Sequence, residues 1–65
     1  LLVFSRKGKG YDFLTVLNNG ERDISLSFSQ NARELLGKKT SNKFMIQSNT
    51  ALIFKVKSNS EIEIG

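Results

Sequence analysis

Residues 11–29 read Tyr11-Asp-Phe-Leu-Thr-Val-Leu-Asn-Asn-Gly-Glu-Arg-Asp-Ile-Ser-Leu-Ser-Phe-Ser29, and their period settles the fold class. In Asp23 to Ser29, the apolar Ile24, Leu26 and Phe28 alternate strictly with Ser25, Ser27 and Ser29. A period of two is that of a strand with one face toward a core and one toward water. In Tyr11 to Leu17 both sets are apolar, Tyr11, Phe13, Thr15 and Leu17 on one face and Leu14 and Val16 on the other, so this strand is expected to lie inside a sheet. Between the two stands Asn18-Asn19-Gly20-Glu21. Asn-Gly tolerates positive φ and is a strong reversal signal, so a β-hairpin from Tyr11 to Phe28 is expected.

Working outward, Leu1 to Arg6 reads as an earlier apolar strand that turns through Lys7-Gly8-Lys9-Gly10, completing a three-strand meander. On the other side, Gln30 to Thr40 has two readings. Asn31 as N-cap and Gly37 as terminator would frame two helical turns; a loop and a short strand around Arg33 to Leu36 is the alternative, and the extended reading is preferred. After a polar loop from Gly37 to Asn42, Lys43 to Gln47 and Ala51 to Lys57 alternate again, with Ser48-Asn49-Thr50 as the expected turn of a second hairpin. Leu26, Phe28, Leu52 and Phe54 are assigned to the core, and Ser25, Ser27, Lys55 and Lys57 to solvent. The predicted fold class is all-β and antiparallel. Residues 1–57 form the domain, and 58–65, with Glu61-Ile62-Glu63-Ile64, are a tail or an extra edge strand.

Composition removes many functions. The 65 residues contain no Cys and no His, so the chain offers no zinc site, disulfide, thiol nucleophile or imidazole base. No catalytic residue, cofactor-binding residue or metal ligand is assigned, and no cofactor is expected. The longest apolar runs, Leu1 to Phe4 and Ala51 to Phe54, fall far short of the roughly 20 residues that cross a bilayer. No membrane partner is expected, and the lack of Cys leans toward a cytoplasmic over a secreted setting without fixing either. A domain of this size buries only about 60% of its unfolded surface and has no staple. That points to reliance on a larger neighbour.

Individual motifs reduce to ordinary surface. Gly37-Lys38-Lys39-Thr40 has Ala32 where a phosphate-binding loop wants its first Gly, and Lys39 where it wants Ser or Thr. Gly8-Lys9-Gly10 lacks a βαβ context and is a turn. The six carboxylates Asp12, Glu21, Asp23, Glu34, Glu61 and Glu63 are not spaced as a glycosidase pair. The net charge of +4 allows polyanion contact. Small basic barrels that bind nucleic acid add exposed aromatics for stacking, but Phe4, Phe13, Phe28, Phe44 and Phe54 mostly fall on faces assigned to the core. The same shortage, with no Trp, disfavours carbohydrate binding on an aromatic platform.

The order of elements resembles the C-terminal β-domain of α-amylase-family glycoside hydrolases. The matching pieces are Leu2-Val-Phe-Ser-Arg6, a glycine turn, and Phe13-Leu-Thr-Val-Leu-Asn18-Asn-Gly20. Ala32-Arg-Glu-Leu-Leu-Gly37-Lys follows, and then Ser48-Asn-Thr-Ala-Leu-Ile-Phe-Lys55-Val as closing strand. The resemblance runs from Leu1 to about Lys57. It departs at Ala32, where the family usually has an aromatic, and in lacking the strand that usually precedes the first one here. The resemblance implies a small antiparallel β-sandwich of about six to seven strands with Greek-key features, non-catalytic, that packs on and stabilises a (β/α)8 catalytic barrel of the same chain, with α-glucan contact as a further role. The catalytic carboxylates of such an enzyme lie on barrel loops, and no position here matches them. The alternatives are a small basic β-barrel that binds nucleic acid and a stand-alone β-sandwich interaction module.

Overall fold

The computed structural model describes residues 1–65. Six strands make up the chain: β1 (Leu2–Lys7), β2 (Tyr11–Asn18), β3 (Ile24–Glu34), β4 (Lys39–Ile46), β5 (Thr50–Lys57) and β6 (Ile62–Ile64). All pairings are antiparallel, in the order β1-β2-β5-β3-β4, with β6 added to β3. The fold is therefore all-β, as the alternating pattern requires.

The long strand β3 makes this one sheet into two layers. Its first half, Leu26 to Phe28, pairs with β6, and Ile24 to Ser27 with β4; after a register shift between Ser27 and Ala32, Arg33 and Glu34 reach β5. A bulge bends a strand and increases its twist, which lets β3 leave one layer and join the other. Leu14, Val16, Phe54 and Val56 from β2 and β5 then face Leu26, Phe28, Phe44 and Ile46 from β3 and β4, with Ala32 at the bend and Leu52 packed at the margin. Phe28, Phe44 and Phe54 form the centre, with ring centroids 4.8 to 6.1 Å apart in tilted and edge-on contacts.

Two expected hairpins do not form. β2 and β3 are not neighbours; β2 pairs with β1 and β5. Asn18-Asn19-Gly20 instead begins an arch from one layer to the other, because both strands carry core residues and each buries them better across the sandwich than side by side. For the same reason β4 and β5 are not paired, and Gln47 to Asn49 cross back to the first layer. The hairpin between β1 and β2 does form, and there a Cβ on Gly8 would lie 2.6 Å from the Tyr11 carbonyl oxygen, while Gly10 has φ +83°. The stretch from Gln30 to Thr40 holds no helix; Arg33 and Glu34 end β3, Leu35 to Lys38 turn, and Lys39 to Asn42, expected as loop, already belong to β4. The tail contributes β6, an edge strand on β3.

Candidate functional site

Directly paired residues of antiparallel strands project from the same face, so the register maps the outer face of β1, β2 and β5. Leu2 pairs with Leu17 and Leu17 with Ala51; Phe4 pairs with Thr15 and Thr15 with Ile53. These two rows are apolar apart from a hydroxyl. The next row runs Arg6, Phe13, Lys55, Arg33 and Thr40 across all five strands of the main path. Beyond it Tyr11 pairs with Lys57. One end of the face is thus apolar and the other cationic, with no carboxylate in any of the four rows.

The apolar end is open to solvent. Phe4 is 60% exposed and Leu2 46%, and every residue of β1 is exposed. Val3 and Ser5 project to the core side of the sheet, since they pair with Val16 and Leu14, yet β1 overhangs the opposite layer and leaves them uncovered. The expectation that Phe4 and Phe13 are core residues is corrected here. Phe28, Phe44 and Phe54 fill the space between the layers, while Phe4 and Phe13 face outward with Tyr11.

At the cationic end, Tyr11, Asn31, Arg33, Thr40, Lys55 and Lys57 line an open groove of about 390 Å³. The Lys55 Nζ sits 4.5 Å from the Tyr11 ring centroid, within the range where the ring's negative face attracts an ammonium.

Two polar residues are buried with the core, and periodicity did not single them out. Asn18 is fully buried; its Nδ2 donates to the carbonyl oxygens of Arg22 at 2.7 Å and Ile46 at 3.0 Å, and its Oδ1 accepts from the Gly20 N–H at 3.1 Å. Glu34 accepts the backbone N–H groups of Leu36 and Gly37 at 2.7 and 2.6 Å, which folds the turn after β3 around its carboxylate. Both shape the scaffold. The remaining acids are dispersed: Asp12 accepts the Ser58 hydroxyl, Asp23 accepts the Ser48 N–H, Glu21 lies in the arch, and Glu61 and Glu63 lie at and in β6. Lys38 and Lys39 sit at the β3–β4 turn, with Lys38 at φ 56°.

No family model, curated protein or solved structure matches this chain. The chain has no helix long and apolar enough to cross a membrane, and no cluster of three or more acidic, His or Cys side chains that could hold a metal.

Proposed function

We propose that this chain is the C-terminal β-domain of an α-amylase-family enzyme acting on α-glucans, and that the apolar end of its outer face docks on the (β/α)8 catalytic barrel. The observation that carries the reading is the pair of rows Leu2–Leu17–Ala51 and Phe4–Thr15–Ile53 on an overhanging strand. Large apolar residues gathered on one exposed face mark an interaction surface. The core contains only nine buried apolar residues, so a covering neighbour would add substantially to it. The Leu17-Asn18 and Glu34-Leu35-Leu36-Gly37 pieces that carry the family resemblance are also where buried polar side chains shape the arch and the turn.

In this reading the domain does no chemistry. It supports the barrel that does, and α-glucan contact is an accessory role.

Determining the coding sequence upstream of Leu1 tests the proposal. Several hundred residues with alternating strand and helix periods are expected, and their absence would end it. In the joined protein, Phe4→Ser is expected to separate the unfolding of the two domains, seen as two transitions in a melt. A single transition unchanged by the substitution would place the contact elsewhere.

A further inference from the structure

The cationic end of the face lies outside the apolar surface assigned to barrel docking, and its chemistry is different. Arg33 and Lys55 are directly paired neighbours on β3 and β5, and Lys57 lies one row further along β5. Three cations on adjacent rows would repel one another in an otherwise featureless surface. Here they line one groove with Tyr11, Asn31 and Thr40, and all six residues are exposed. The Tyr11 ring holds the Lys55 ammonium on one side of the groove.

We propose that this groove binds a sugar carrying a phosphate group. A phosphomonoester near neutral pH carries between one and two negative charges and three acceptor oxygens, which suits one guanidinium and two ammonium groups. Arg33 presents the planar fork that pairs bidentately with phosphate, and Lys55 and Lys57 act as point charges. Thr40, paired with Arg33, and Asn31 line the same groove, and their hydroxyl and amide supply donors and acceptors for sugar hydroxyls. This site stands independently of the barrel-docking reading, because none of its residues belongs to the apolar rows.

The test is titration of the full-length protein, with this domain isotopically labelled, with glucose 6-phosphate, glucose and inorganic phosphate, followed by amide NMR shifts. Saturable shifts at Tyr11, Asn31, Arg33, Thr40, Lys55 and Lys57 are expected with glucose 6-phosphate. Inorganic phosphate should bind at least about tenfold more weakly and glucose not measurably. Arg33→Gln and Lys55→Gln should each weaken glucose 6-phosphate binding about tenfold, while Lys43→Gln, on the opposite layer, leaves it unchanged. Absence of shifts at millimolar glucose 6-phosphate would overturn the proposal, as would equal affinity for inorganic phosphate. Tighter binding of a single-stranded oligothymidylate than of glucose 6-phosphate would also overturn it, assigning the groove to a nucleic-acid backbone.

Discussion

The Asn18 side-chain amide donates to the Ile46 main-chain oxygen across 3.0 Å, tying the end of β2 in one layer to the end of β4 in the other. The same nitrogen reaches Arg22, and Oδ1 takes the Gly20 N–H, so one fully buried side chain anchors the arch on both sides. Asn18→Ala leaves the buried Ile46 carbonyl and the part-buried Arg22 carbonyl without this donor and is expected to lower stability by about 1–3 kcal/mol. Asn18→Asp should cost more in neutral buffer, because a buried carboxylate would face two carbonyl oxygens. Its folded-state pKa would be raised, so the deficit should shrink as pH falls and the acid takes up a proton. Urea melts at neutral and acidic pH check both, and a deficit that grows on acidification would show that the carboxylate is tolerated there.

Glu34 plays the corresponding part at the β3–β4 turn. Glu34→Gln retains the size of the side chain but replaces one acceptor oxygen with a donor that faces an N–H. A loss of about 1–2 kcal/mol is expected, together with faster hydrogen exchange at the Leu36 and Gly37 amides. Unchanged exchange at those two amides would mean that the turn does not depend on the carboxylate.

Lys38 carries φ 56° with a Cβ that disfavours the left-handed region. Lys38→Gly is expected to stabilise the chain by about 0.5 kcal/mol, the relief of strain exceeding the added entropy of the unfolded glycine. A drop in the denaturation midpoint would show that the lysine side chain makes a compensating contribution.

Phe54 and Lys55 are adjacent on β5 and project to opposite faces. Phe54 is fully enclosed against Phe28 and Phe44, so Phe54→Ala should cost about 3–5 kcal/mol, much of the stability of so small a domain. Lys55→Ala should fall within about 0.5 kcal/mol of the parent chain. Thermal melts of the pair check the assignment of faces directly.

The alternation in β2, β3 and β5 makes the strand faces legible in the sequence, and it places Leu26, Phe28 and Phe54 in the core and Lys55 and Lys57 in solvent, as they are found. Leu52, also assigned inward, is only partly buried, at the margin where β5 leaves the other layer. What periodicity could not supply was which strand neighbours which. A turn signal such as Asn18-Asn19-Gly20 specifies a change of direction, and an arch between layers satisfies it as well as a hairpin does. The outer-face site was hidden for a related reason: Phe4 and Phe13 have the same apolar character as core residues, and only the pairing Arg6–Phe13–Lys55–Arg33 shows that Phe13 stands among cations. Asn18 and Glu34 were visible as residues but not as buried ones, although each stands at the end of an apolar strand next to a glycine-bearing turn.

The position of β5 between β2 and β3 has a consequence for how the chain is made. Its partners lie far upstream, Tyr11 opposite Lys57 and Asn18 opposite Thr50, whereas β1–β2 and β3–β4 are joined by short turns. The two hairpins can therefore form early, but each keeps its apolar side uncovered until β5 threads between them, and such long-range pairings form slowly. On a ribosome, neither half can be sealed before Lys57 has emerged. Cleavage before Thr50 would release two sticky hairpins rather than a slightly smaller domain, and aggregation would be its visible fate.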